Sequence, residues 1–206
     1  MAQITPNFFQ TILKIEGGFQ NLPGDTGNYC NGQLVGTKYG MSAGAVSAWW
    51  GRCPSEQEMR DLTTADALNF YAWYFDRYGL FQIQDQQFFE LLANNTMGSP
   101  ANAAKIEQRV LNQFGYSVPI DGIRGSQTIA ALNDAFKRYG AKVYNAVREA
   151  WVQYLKGLNR PEFIDGWLNR MNRFFPPIGA TGAGLGIGFA FLLFVGYKLL
   201  KRQNNG

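Results

Sequence analysis

Apolar residues recur every three or four positions along most of the chain, the period of helices that bury one face. Phe8, Ile12 and Ile15, with Phe9 and Leu13 beside them, stripe a first helix entered at Pro6. Thr64 is expected to cap a second, with Asp66 in its first turn and Leu68, Tyr71, Ala72 and Phe75 on one side. A third is predicted near Gln86 to Ala93. A fourth runs from about Asn102 to Phe114, with Ile106, Val110 and Phe114 in register and Gly115 as its stop. Ser126 opens a fifth that carries Ile129, Leu132 and Phe136 and ends at Gly140. Val143, Val147, Trp151 and Tyr154 stripe a sixth, and Phe163, Trp167 and Met171 a seventh after Pro161. The chain is therefore expected to be mainly α-helical.

Two stretches break the pattern. Gly17 to Gly40 holds seven glycines and Pro23 and has no helical stripe, and a loop of that length in a compact domain is usually functional or disordered. A short hairpin is expected around Asn31-Gly32, a turn dipeptide flanked by Tyr29 and Leu34-Val35. At the other end, residues 178–197 are 20 consecutive uncharged, largely apolar residues after Pro176-Pro177, followed by Lys198, Lys201 and Arg202. As a helix they would span about 30 Å, the thickness of a bilayer's hydrocarbon core. This predicts one transmembrane helix and a basic tail over 198–206. Gly182, Gly184, Gly186 and Gly188 supply small-xxx-small pairs through which two such helices would self-associate.

Composition narrows the chemistry. The 206 residues contain no histidine, which removes the usual general base, metal ligand and partner of a nucleophilic serine or cysteine. Acid–base work falls to 15 carboxylates, and neither a metal nor a cofactor is expected. The net charge of +4 comes mostly from the three cations of the tail, and no dense basic run precedes them, so nucleic acid is not an expected partner. Cys30 and Cys53 allow one disulfide or two free thiols. Met1 to Gln10 has neither a basic region nor an apolar run, and no signal peptide is expected from it.

Among the carboxylates, Glu16 stands at the end of the first helix, just before Gly17-Gly18. The helix dipole and poor solvation beside apolar neighbours both raise a carboxyl pKa there, which suits a general acid. A solvated glutamate before an ordinary glycine cap fits the same three residues. Asp25 follows in the glycine-rich loop, where it is either a turn residue or a second carboxylate. An acid on a helix end with a carboxylate on the adjacent loop is what glycosidic cleavage requires.

Taken together, these residues resemble a known family. Glu16-Gly17-Gly18-Phe19, Asp25 with Gly27, and Thr37-Lys38-Tyr39-Gly40-Met41-Ser42 are similar to the signature of glycoside hydrolase family 108, the phage and bacterial N-acetylmuramidases. Thr63 to Tyr78 resembles that family's aromatic helix, and Phe89-Glu90 through Asn94 its F-D-x-x-x-N segment, with glutamate in place of aspartate. Asp121-Gly122, Gly125, Thr128 and Ala131-Leu132 resemble its peptidoglycan-binding element, and Phe163 to Arg170 its closing F-x-x-G-W-x-x-R. An insertion, Asn28 to Val35, separates Asp25 from the threonine motif.

The resemblance implies a lysozyme-like α+β fold, mainly helical with a small hairpin region. It divides into a catalytic lobe over 1–97, a peptidoglycan-binding lobe over 98–175, and the membrane helix. It implies Glu16 as catalytic acid, Asp25 and Thr37 as the second carboxylate and threonine of related phage lysozymes, and Tyr39, Gly40 and Asn94 as substrate-binding residues. Trp49, Trp50 and the aromatics from Tyr71 to Tyr78 belong mostly to the core at helical spacing. The expected function is a membrane-anchored muramidase acting on peptidoglycan. The expected place is a virion membrane or the bacterial inner membrane, with the bilayer held through residues 178–197, in phage lysis or infection. Two alternatives stay open: a lytic transglycosylase producing anhydro-muramic ends, and a catalytically inactive wall-binding virion membrane protein.

Overall fold

The structure, a computed structural model, describes residues 2–179. The predicted membrane helix therefore lies outside the described residues apart from Ile178 and Gly179. Among the described residues no helix is long and apolar enough to cross a membrane.

Helices dominate, and their ends follow local chemistry. Helix α1 (Pro6–Glu16) starts with Pro6 in its first turn, and the Thr5 hydroxyl accepts from the Phe8 amide at 3.1 Å. Two hairpins follow. Strands β1 (Tyr29–Cys30) and β2 (Gln33–Leu34) pair antiparallel around Asn31-Gly32, both of which have positive φ as a type I′ turn requires. Strands β3 (Thr37–Lys38) and β4 (Met41–Ser42) pair in the same way around Tyr39-Gly40. The hairpin at Asn31-Gly32 is the one expected from the turn dipeptide.

Two helices come next that the periodicity does not predict. Helix α2 (Ala43–Trp50) is built largely of alanine, glycine and tryptophan, so it has no apolar stripe to read, although Ser42 caps it and Gly51 closes it in the left-handed conformation. Helix α3 (Glu56–Asp61) is too short for a stripe, but it opens with a capping box between Ser55 and Glu58. Helix α4 (Thr64–Arg77) is capped by Thr63 rather than Thr64, because the reciprocal bonds with Asp66 need a residue three positions before it.

The remaining helices are α5 (Gln86–Gly98), α6 (Pro100–Gln113), α7 (Ser126–Tyr139), α8 (Ala141–Gly157) and α9 (Pro161–Phe174). Helix α6 begins at Pro100, two residues before the expected start, since proline suits a first turn that has no amide bond to lose.

One hydrophobic core runs from Phe8 and Ile12 on α1 through Phe75, Phe88 and Phe89 to Val147, Trp151 and Met171. The fold also holds a buried ion pair. Arg124, on the loop before α7, donates to both Glu107 oxygens from Nε at 2.7 Å and Nη2 at 2.6 Å. The same guanidinium donates to the Tyr78 carbonyl and the Thr96 hydroxyl, so it joins α4, α5, α6 and the α7 loop. Cys30 and Cys53 are bonded to each other, tying the first hairpin to the segment after α2.

The Arg124–Glu107 pair supplies a stability test. Both side chains are almost wholly buried, so Glu107→Ala leaves a cation out of water without its partner. The expected loss is about 3–5 kcal/mol in equilibrium denaturation. A loss within a few tenths of a kcal/mol would show that the pair is dispensable.

Candidate active site

Helix α1 ends at Glu16 because Gly17 takes a φ of 72° and turns its amide back to the Leu13 carbonyl. The chain then runs beside β3. The Gly17 carbonyl accepts from the Tyr39 amide at 3.2 Å, and Gln20 exchanges two backbone bonds of 2.8 Å with Thr37. This places the Tyr39-Gly40 turn directly against Glu16. A Cβ at Gly40 would stand 2.7 Å from Glu16 Cγ, 2.8 Å from its Oε2 and 2.7 Å from the Tyr71 hydroxyl, and the φ of 75° disfavours any side chain there. Gly40 is therefore required by the close approach of backbone to carboxyl. Tyr71, itself buried on α4, pins the turn by donating from its hydroxyl to the Tyr39 carbonyl at 2.7 Å.

The fourth wall of this slot is Arg170 from α9, with Nη1 3.6 Å from Glu16 Oε1. The Glu16 side chain is 25% exposed and the Arg170 side chain 18%. Burial raises the Glu16 pKa above the usual carboxylate range, and the Arg170 charge opposes that rise without cancelling it. Burial lowers the Arg170 pKa in turn, and its Nε is buried with no hydrogen-bond partner among the described residues. Beside them the Tyr71 pKa is driven well up by burial and by the Glu16 charge, so its phenol stays protonated.

The other sequence-predicted residues divide. Asp25 is exposed and caps a short 3₁₀ turn, Thr26–Asn28, with Oδ1 accepting from the Gly27 amide at 3.0 Å and Oδ2 from Gln20 Nε2 at 3.1 Å. Thr37 is joined to it through Gln20, and Tyr39 and Gly40 lie on the Glu16 slot. Asn94 is elsewhere. It is 2% exposed, inside the packing between α5 and α9, where its Nδ2 donates to Asn95 Oδ1 at 3.1 Å and approaches Met171 Sδ at 3.4 Å. A buried side chain with those neighbours packs against the helix that carries Arg170. Of the aromatics, Tyr71 and Phe75 are core, while Trp49, Trp50 and Trp73 are half-buried.

Two residues escaped the sequence reading of function. Gln20 carries no motif of its own. Arg170 did leave signals: it closes the F-x-x-G-W-x-x-R segment, and it shares the face of α9 that bears Phe163, Trp167 and Phe174, where a lone cation calls for a buried partner. Among the described residues no group of three or more cysteine, aspartate or glutamate side chains is arranged to hold a metal ion. A surface hollow of about 500 Å³ between Gln82-Gln84 and α7 shares no lining residue with the Glu16 slot.

Residues 9–95, which contain the whole slot except Arg170, match the family model Glycosyl hydrolase 108. The chain is a glycoside hydrolase. Residues 102–172 of the enzyme match the family model Predicted Peptidoglycan domain, making peptidoglycan its polymer partner. Among solved structures it is similar to SagA of Brucella abortus, with 28% identity and a TM-score of 0.64 over 83% of this chain and 88% of that one. No curated protein matches it. Arg170 lies in the second matched region and Glu16 in the first, so this hydrolase assembles its acid slot from both.

The electrostatics of the slot give a signed prediction. A general acid acts while protonated, so with Glu16 in that role activity falls as pH rises through its pKa. Because Arg170 lowers that pKa, Arg170→Gln should move the falling limb of the kcat/KM profile to higher pH, with Arg170→Lys in between. A limb that stays in place in a folded Arg170→Gln enzyme would show that Arg170 does not set the proton affinity of Glu16.

Proposed function

We propose that this glycoside hydrolase is a muramidase that cleaves the bond between N-acetylmuramic acid and N-acetylglucosamine in peptidoglycan, with Glu16 as the proton donor. The observation that carries the reading is the state of Glu16, a desolvated carboxyl with its pKa raised and no hydrogen bond among the described residues to hold its proton back. Protonation of the leaving oxygen requires that state. As the glycosidic bond breaks, positive charge grows on the anomeric carbon and the Glu16 proton moves to the departing sugar oxygen. Asp25, on the loop joined to the slot through Gln20 and Thr37, is the second carboxylate. It either stabilises the oxocarbenium ion or activates water, with Thr37 linked to it through Gln20. Tyr39 and Gly40 form the slot's edge and guide the sugar past the acid.

The division into a catalytic lobe and a wall-binding lobe extends this reading. The second lobe holds the polymer and also contributes Arg170 to the acid. The apolar run of residues 178–197 supports a membrane anchor, which fits a phage product acting at the inner membrane or from a virion membrane. Full-length protein should then sediment with membranes and come free in detergent. Recovery in the supernatant would remove the anchor from the account.

The chemistry is tested on purified peptidoglycan. Glu16→Gln preserves size but has no proton to transfer, so turnover should fall at least about a hundredfold while the fold is retained. Mass spectrometry of the products should find reducing muramic ends. Anhydro-muramic ends would replace hydrolysis with transglycosylation, and full turnover by Glu16→Gln would end the assignment of the acid.

A further inference from the structure

Asp25 stands on an exposed, glycine-rich loop, where a carboxylate would ordinarily swing among rotamers. It does not do so here, because both oxygens are held: Oδ1 by the Gly27 amide and Oδ2 by Gln20 Nε2. The Gln20 side chain is in turn fully committed. Its Nε2 donates to Asp25 Oδ2 at 3.1 Å and to Asn28 Oδ1 at 2.9 Å, and its Oε1 accepts from Asn28 Nδ2 at 2.8 Å and the Leu22 amide at 3.1 Å. An amide has two N–H donors and two carbonyl lone pairs, so nothing is left over.

The orientation of that amide is also forced. The Leu22 N–H can only donate, so Gln20 must turn its oxygen toward it and its nitrogen toward Asp25. Asn28, fully buried, is fixed by the same logic, since its Nδ2 also donates to the Leu22 carbonyl at 3.0 Å. The Asn28 carbonyl accepts from Val35 and Gly36 at the far side of the first hairpin, which anchors the network to the fold. The Gln20 backbone pairs with Thr37, so one residue ties together the Asp25 carboxylate, the Thr37 strand and the chain leaving Glu16.

From this geometry we infer that Gln20 is a positioning residue of the hydrolase, acting through Asp25 by presenting a fixed N–H to Oδ2 and setting the carboxylate's place relative to Glu16. The inference rests on Asp25 being the second carboxylate, and it deepens that reading. A misplacement of about 1 Å at a reacting group costs on the order of a hundredfold in rate, so losing the amide should register mainly in kcat.

The test measures kcat and KM against pH, on solubilised peptidoglycan strands, for the full-length enzyme and for Gln20→Glu, Gln20→Met and Asp25→Asn, with melting curves for each. At neutral pH the Gln20→Glu carboxylate cannot donate to Asp25 and repels it. Its kcat should fall about a hundredfold with KM little changed. As pH drops the new carboxyl gains a proton and regains a donor, so kcat should recover toward wild type on the acid side. Gln20→Met, of similar length but with no donor, should lose kcat without that recovery. Wild-type kcat in both Gln20 variants alongside an inactive Asp25→Asn would overturn the inference and leave the role of Asp25 standing. Near-normal Asp25→Asn would instead remove the reading beneath it. A Gln20→Glu loss that tracks its melting temperature and shows no acid recovery would reduce Gln20 to a structural part, also overturning the inference.

Discussion

The slot depends on taking Glu16 and Arg170 largely out of water together. Burying a lone carboxylate costs several kcal/mol, and a guanidinium 3.6 Å away repays only part of it. The remainder appears as a carboxyl that keeps its proton above the usual range. A bidentate contact, such as Arg124 makes with Glu107, would stabilise the ionised acid. The looser approach of Arg170 lowers the carboxyl's pKa by less than burial raises it. The Tyr71 phenol and the bare Gly40 backbone close the slot without offering the carboxylate a hydrogen bond that would lower its pKa.

The rest of the structure holds that slot in shape. Arg170 must arrive from a helix far away in sequence, so α9 has to be fixed on the body. Met171, Asn94 and the core around Trp151 pack it in place. At the end of α9, Arg148 on α8 donates to the Phe175 carbonyl at 2.6 Å and to Asn172 Oδ1 at 2.6 Å, clamping the helix down. On the opposite side, Arg124 binds α4, α5 and α6 into one body, and that fixes Tyr71 on α4 relative to α5. The match to a glycosyl hydrolase model and a peptidoglycan model in tandem acquires a physical meaning here. The second region, matched to a peptidoglycan model, brings a charge to Glu16 in the first.

What was legible in the sequence was local. The stripes at three and four gave the long helices, Asn31-Gly32 gave a hairpin, and Glu16 before two glycines marked the end of the first helix. Helices α2 and α3 stayed hidden because small residues and short length erase periodicity, although the Ser55–Glu58 box that starts α3 is readable. Asn94 matched a motif, but motif spacing carries no information on burial, and the structure puts the residue inside. The pairs Arg170–Glu16 and Arg124–Glu107 depend on how distant segments pack, which no window of sequence encodes. Gln20 was invisible for a related reason, since its importance lies in four hydrogen bonds that exist only once the loop has folded.

In the proposed mechanism Glu16 is the proton donor, its pKa raised by burial and moderated by Arg170. Carbon-13 NMR of the side-chain carboxyls in glutamate-labelled enzyme, with Glu16→Gln to assign the resonance, reads this directly. The Glu16 carboxyl should titrate above the ordinary glutamate range, and higher still in Arg170→Gln. A Glu16 resonance that titrates with the exposed glutamates, or that moves down when Arg170 is removed, would contradict it.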